Sequence, residues 1–332
     1  VYKVILDTDP GIDDAMAIAY ALSHPEIELL ALTTVFGNVN IDKATNNAQY
    51  ILDVLGAQNV CVAKGAAVPI TQAPLPHAEF VHGDDGIGNC YPAEGVQLQA
   101  NAAHAQLHAL SAAEYIVQMA TANPGQITLI AVGPLTNIAL ALQLEPKLPE
   151  LVQQLIVMGG AVDEPGNVTP LAEANFFNDP HAADVLLTHD WPMVIVGLDV
   201  THKIMITDTH LSQLRDHAGV TGRFLWDTSR FYVDFYSNKG AAKTLSEPCC
   251  AMHDAAAVAY LVETDAFEVS RGSARVIEGG VAAGQLALDR KGYKYATDHW
   301  ADRAVNNGAC MAVDAERVLA SFIRTITDHR LT

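Results

Sequence analysis

The segment Asp7-Thr8-Asp9-Pro10-Gly11-Ile12-Asp13-Asp14 places four carboxylates within eight residues, directly after the apolar run Val4-Ile5-Leu6. Like charges repel, and a carboxylate at a buried strand end loses hydration, so the crowding is costly unless something offsets it. A bound divalent cation would do so. The cluster offers oxygen donors and neither imidazole nor thiolate, which favours a hard ion, Ca2+ or Mg2+, over zinc. The plainer alternative is a solvated acidic turn in which Asp14 caps the next helix. Asp7 and Asp9 lie at the strand end and Pro10-Gly11 makes a sharp turn there, which favours the cation.

Other chemistries fit less well. An EF-hand loop would put its third ligand on Gly11 and needs a Glu at the twelfth position, which is absent. There is neither a Walker lysine motif nor a Gly-x-Gly-x-x-Gly to cradle phosphate. The Asp-x-Asp element is similar to that of haloacid dehalogenase-type phosphatases, in which the first Asp attacks phosphate. That makes an aspartyl nucleophile at Asp7 or Asp9 a rival reading, although no Lys and Ser/Thr motifs downstream support it.

The elements that must position these residues read as alternating strands and helices. Strands are expected at Tyr2–Leu6, Glu28–Val35, Val60–Ala63, Ile127–Val132, Leu155–Met158 and Met193–Leu198. Helices are expected at Ala15–Ser23, Lys43–Leu55, Ala112–Ala120, Leu135–Leu142 and Pro180–Leu187. Such alternation implies an α/β fold with an open, mostly parallel sheet and helices on both faces. Ligands of such sheets bind beyond the carboxyl ends of the strands. Asp9, Asn38, Val132 and Met158 all fall at or just after strand ends, so they should converge on one crevice. Late strands are expected within 273–313 and a closing helix at Ala315–Thr327.

Two stretches look loop-rich or mobile. Residues 66–105 hold several Pro and Gly and the string His82-Gly83-Asp84-Asp85-Gly86, which suggests an active-site flap. Residues 201–250 carry Phe231, Tyr232, Phe235 and Tyr236, either a packed helix face or a helical lid that closes on a flat ligand.

The 332 residues, half of them hydrophobic, suffice for one α/β domain spanning the chain. The net charge of -19 argues against nucleic-acid and anionic-membrane partners. No apolar run is long enough to span a bilayer, and no charged-then-apolar leader is visible. Five cysteines with no Cys-x-x-Cys argue against a disulfide framework or zinc site, and a cytoplasmic location is expected.

The acidic string resembles the amino-terminal signature of the nucleoside hydrolases, the inosine-uridine-preferring ribohydrolase family. Four more matches follow in order: Val35-Phe36-Gly37-Asn38, Val132-Gly133-Pro134-Leu135-Thr136-Asn137, Glu173-Ala174-Asn175 and Met252-His253-Asp254. The resemblance implies hydrolysis of the N-glycosidic bond of ribonucleosides. It implies one Ca2+ per subunit, held by Asp9, Asp14, Asp254 and the backbone carbonyl of Val132, with Asp13 as general base. Asp7 would fix the orientation of a ligand. Asn38, Asn167, Glu173 and Asn175 would hold the ribose, and Met158 would pack against its apolar edge. Asn167 has a plainer reading as a turn residue, and Met158 as core.

His253 would assist departure of the base and His82 would be a second base-side group, with Tyr232 and Tyr236 on the lid. Members with His at the first position favour inosine, uridine or cytidine. Ala174 departs from relatives that carry a bulkier residue there, which loosens packing near the 5′ end of the ribose. The family forms homodimers or homotetramers. A non-catalytic nucleoside-binding protein on the same fold is the remaining alternative. The pairing of Asp13 with His253 argues against it, since a binder needs neither base nor acid.

Overall fold

The computed structural model describes residues 1–91, 105–239, 247–297, 300 and 307–328. Its frame is an eight-stranded sheet. In chain order the strands of the protein are β1 Tyr2–Thr8, β2 Ile27–Thr34, β3 Cys61–Lys64, β4 Ile127–Ala131, β5 Gln154–Met158, β6 Met193–Val196, β7 Met205–Thr207, β8 Cys249–Ala251, β9 Phe267–Arg271, β10 Ser273–Val276, β11 Leu286–Asp289 and β12 Gly308–Val313. The main sheet runs β3-β2-β1-β4-β5-β6-β12-β9, parallel throughout except where β9 pairs antiparallel with β12. The order turns back at β1, which lies between β2 and β4, so the acidic string emerges at the switch point, where such sheets bind ligands.

The central strands are apolar on both faces, as expected when helices cover both. Val4, Leu6, Leu32, Ile130, Ile156 and Val196 face one core, with helices Ile12–Ser23, Ile41–Val54 and His253–Val262. Ile5, Ala31, Leu129, Leu155, Val157 and Ile195 face the other, with helices Ala112–Ala122, Thr136–Leu144 and Pro180–Leu187. Every expected strand and helix of the first two hundred residues is present. Helix Ile12–Ser23 starts three residues before the expected Ala15, because Asp14 Oδ2 accepts the Gly11 N–H at 2.8 Å and closes the first turn over the carboxylates.

The two remaining stretches are described in part. Of the flap expected at 66–105, residues 92–104 lie outside the described residues. Within the rest, Glu79–His82 is a short helix, followed by a tightly bonded segment. Of the lid expected at 201–250, residues 240–246 lie outside the described residues. The rest includes helices Asp208–His217 and Gly219–Lys239, and β7 paired antiparallel with β8. That pairing sets Met252-His253-Asp254, directly after β8, beside the end of β6. Residues 298–299 and 301–306, within the region expected to hold late strands, lie outside the described residues. No helix among the described residues is long and apolar enough to cross a membrane.

Candidate active site

Asp13 and Asp14 occupy the first turn of helix Ile12–Ser23, and Asp254 the first turn of helix His253–Val262. Both helices are rich in Ala and buried along nearly their whole length, so they pack closely and their amino ends meet. Oxygen atoms of Asp13, Asp14 and Asp254 lie within 4.8 Å of one another. The unpaired N–H groups of two helix ends give these charges partial compensation.

It is incomplete. All of these groups are buried, and burial pushes the carboxyls of Asp9, Asp13, Asp14 and Asp254 above their usual range. The neighbouring carboxylates push Asp9, Asp13 and Asp254 further. Asp14 and Asp254 face each other closely enough that each raises the cost of ionising the other. Thr8 donates its hydroxyl to Asp14 Oδ1, and Asn38 Nδ2 donates to Asp14 Oδ2 at 3.2 Å.

Asp9 stands outside the tight trio. Its Oδ2 accepts the Asn38 N–H at 2.7 Å, while Oδ1 is buried with no partner. Asp13 Oδ1 is likewise buried and unpartnered. Buried oxygens normally find a partner. Two orphaned carboxylate oxygens in an all-oxygen cluster therefore fit a hard divalent cation. Two motif glycines leave room for Asp9: a Cβ on Gly37 would come 2.0 Å from Asp9 Oδ2, and one on Gly133 would come 2.6 Å from Asp9 Oδ1.

Asp7 is held from two sides. Its Oδ1 accepts from Thr33 Oγ1 at 2.6 Å and Asn137 Nδ2 at 2.8 Å, and burial raises its carboxyl to about 7. These bonds, with that from Val132 N–H to the Asp7 carbonyl at 2.8 Å, tie β1 to the loop that begins at Val132. Asp7 thus bears on the Val132 carbonyl through that loop.

On the β5 side, Asn175 Nδ2 donates to the carbonyls of Val132 at 2.8 Å and Met158 at 3.1 Å, bringing the ends of β4 and β5 to one point. Glu173 caps helix Ala174–Asn178. Its Oε1 accepts the Asn175 N–H at 2.9 Å, and Oε2 accepts those of Gly160 at 2.9 Å and Phe176 at 3.2 Å. Burial nevertheless raises Glu173 to about 7. Asn167 is exposed, and its Oδ1 accepts the Ala174 N–H at 3.0 Å, so it also shapes this turn. Met158 is buried at the end of β5.

The aromatic wall comes from helix Gly219–Lys239. Tyr236 OH and Thr201 Oγ1 each share a 2.7 Å hydrogen bond with His253, at Nε2 and Nδ1 respectively. Tyr232 stacks on His82 with ring centroids 5.5 Å apart, and its hydroxyl reaches Asp13 Oδ2 at 3.5 Å. His82 Nδ1 accepts the Ile12 N–H at 3.2 Å and lies 4.0 Å from Asp13 Oδ1. Burial lowers both His82 and His253 to about 3, which makes them neutral imidazoles at neutral pH.

Sequence reasoning thus named the side chains that meet here and missed several that hold them. Asn137 was visible inside a quoted motif. Thr8 lies inside the acidic string, where a hydroxyl between two carboxylates gives no sign of which one it bonds. Thr201 left no local signal, because its contact with His253 spans β7 and β8. Asp199 was missed too: its carboxylate accepts the N–H groups of Val162, Asp163 and Glu164 at 2.8, 2.7 and 3.0 Å, fixing the start of the loop to Asn167.

A parallel sheet with this acidic switch point is shared with known enzymes. The family model described as "Inosine-uridine preferring nucleoside hydrolase" matches residues 4–320. A probable uridine nucleosidase 2 from Oryza sativa subsp. japonica is 37% identical over 321 residues, covering 96% of this chain and 91% of that protein. The solved structure of a plant nucleoside hydrolase superposes with a TM-score of 0.88 at 34% identity, over 98% of this chain and 99% of the other. That of a purine-preferring ribonucleoside hydrolase from Gardnerella vaginalis does so with a TM-score of 0.87 at 32% identity, over 99% of both chains. Fold, site and matches together define a hydrolase acting on N-glycosyl compounds. The chain belongs to the inosine-uridine preferring nucleoside hydrolase family.

The room left for Asp9 gives a direct test. Gly37→Ala puts a methyl group against Asp9 Oδ2 and forces that carboxylate aside. Activity should fall by about tenfold or more, with the circular dichroism spectrum unchanged, because a displacement of about 1 Å at a catalytic constellation is costly.

Proposed function

We propose that the protein hydrolyses the N-glycosidic bond of ribonucleosides, with inosine, uridine and cytidine as substrates and one Ca2+ per chain in the aspartate cluster. The observation that carries this reading is the buried cluster itself, with orphaned oxygens on Asp9 and Asp13 beneath a wall of aromatic and imidazole rings. Asp9, Asp14, Asp254 and the Val132 carbonyl would hold the cation. Bound there, it would supply Lewis acidity that orients a water and lowers its pKa.

Asp13 is the general base. Its Oδ1 is unpaired, and its raised proton affinity suits a group that must take a proton from water near neutral pH. The Asn38 and Asn175 amides and the Glu173 carboxylate border the ends of β2, β4 and β5, where ribose hydroxyls can both donate and accept. Glu173 makes three backbone bonds, so one acceptor site remains for a sugar hydroxyl. Asn167 bounds the same side.

His253 and Tyr236 form the base-side pair. A neutral imidazole has one N–H and one acceptor nitrogen, so the bonds from Tyr236 and Thr201 fix the His253 ring, which would assist the departing base by hydrogen bonding. Tyr232 and His82 supply flat surfaces for the base. A phosphatase with an aspartyl nucleophile would want basic side chains beside Asp7 or Asp9. Their observed partners are Thr33, Asn137 and the Asn38 N–H.

Release of reducing sugar from a panel of nucleosides tests the reading. Ribonucleosides should be cleaved and 2′-deoxyribonucleosides should be poor substrates, since a missing hydroxyl leaves polar groups unpaired in a closed site. Equal rates on uridine and deoxyuridine, or phosphate release from nucleotides without sugar release, would refute it. Asp13→Asn should lower kcat by about 10² to 10⁴ with KM little changed, because a general base acts in the transition state. A variant within a few-fold of the parent would leave Asp13 as a helix-start acid alone.

A further inference from the structure

The segment that presents His82 is a knot of hydrogen bonds. The His82 carbonyl accepts the Gly88 N–H at 2.7 Å. Asp85 Oδ1 accepts the N–H groups of Ile87 and Asn89, both at 2.8 Å, and Oδ2 that of Tyr91 at 2.7 Å. Asn89 Oδ1 returns to the Asp84 N–H at 2.8 Å, with Asn89 itself at φ 59°, a left-handed conformation that Asn tolerates. Ile87 is fully buried.

One helix grips this knot from outside. Lys43, Asn47 and Tyr50 stand at i, i+4 and i+7 on helix Ile41–Val54 and so share a face. Lys43 Nζ donates to the Asp84 carbonyl at 2.7 Å, Asn47 Nδ2 to that of Asp85 at 2.9 Å, and Tyr50 OH to that of Cys90 at 3.4 Å. The Lys43 bond is exposed and the Tyr50 bond is long. Asn47 is 2% exposed, and the same amide nitrogen donates to the Pro10 carbonyl at 3.1 Å. Pro10 is the residue after Asp9 and lies three before Asp13. One buried amide group therefore joins the turn that carries the carboxylates to the segment that carries His82.

We infer that Asn47 is a positioning residue that sets His82 against the Asp9–Asp14 turn, and so fixes the gap between the general base and the base-side imidazole. Two observations separate this from ordinary core packing. The bonds run to segments 37 and 38 residues away in sequence rather than to Asn47's own helix. Their two acceptors flank the hydrogen bond that His82 itself makes to the carboxylate turn, from the Ile12 N–H to Nδ1. A side chain of similar size without the two N–H donors fills the space yet leaves two buried carbonyls unpaired.

The inference rests on the proposed hydrolysis, so its test has one readout through turnover and one without it. The variants are Asn47→Asp, nearly isosteric but with neither N–H donor, His82→Ala, and the two combined, each assayed on uridine for kcat and KM. Asn47→Asp should lower kcat about tenfold with a smaller change in KM. In the His82→Ala background the loss should shrink to about twofold or less, the non-additivity expected of residues acting through one another. Equal losses in both backgrounds, or a kcat within about twofold of the parent, overturn the inference. Should Asn47→Asp fail to fold, Asn47→Ser takes its place, since it keeps one donor but is too short to span both carbonyls.

Amide hydrogen exchange reads the same grip without substrate. Asn47→Asp should speed exchange across 82–91 about tenfold and leave helix His253–Val262 unchanged. Unchanged exchange across 82–91 also overturns the inference. A parent that cleaves no ribonucleoside refutes the proposed hydrolysis, and the exchange result then decides the role of Asn47.

Discussion

The burial of several like charges at one strand end governs this molecule. Asp9, Asp13, Asp14 and Asp254 are drawn out of water into a space where each raises the cost of ionising the others. The chain compensates with what a backbone can offer. Two helices begin at the cluster, and Thr8 and the Asn38 and Gly11 N–H groups donate to it. The helices approach closely because four Ala stand in each. Gly37 and Gly133 are small because Asp9 fills the space a side chain would take. Even so, oxygens of Asp9 and Asp13 remain unpaired, and a cation is the partner their chemistry fits.

The rest of the site is arranged around that core by strand order. β1, β4 and β5 are neighbours, so Asp9, Val132 and Met158 stand side by side at their ends. Asn175 then bridges the Val132 and Met158 carbonyls, and Glu173 caps the helix that holds Asn175. The opposite wall depends on the antiparallel β7–β8 pair, which delivers His253 to Thr201 and to Tyr236 on the long helix.

Much of this was legible in the sequence, for an identifiable reason. Local signals sufficed where an element is defined by its own residues. The apolar runs, the Pro-Gly turn and the motif strings located β1 to β6 and their helices, and the parallel-sheet rule then placed Asp9, Asn38, Val132 and Met158 at one crevice. Signals failed where a residue's role is set by a distant partner. Asp7 bonds to Thr33 and Asn137, partners that no local signal names. Glu173 caps helix Ala174–Asn178, and Asn167 accepts the Ala174 N–H beside it, parts set by the turn they share. The loop-rich composition around His82 suggested a flap, whereas Asp85 and helix Ile41–Val54 fasten residues 82–91 down. Composition reports Gly and Pro but not the side chains that reach a loop from elsewhere.

The central claim is that the aspartate cluster is completed by one divalent cation. Elemental analysis of the purified protein, joined to thermal unfolding and turnover before and after exhaustive chelation, tests it most directly. The account predicts one calcium per chain, with a lower Tm and lost turnover once it is removed, and recovery of both on adding calcium back, because a ligand that binds only the folded state stabilises it. A protein shown to be free of divalent metal that keeps its full turnover and its Tm would contradict it.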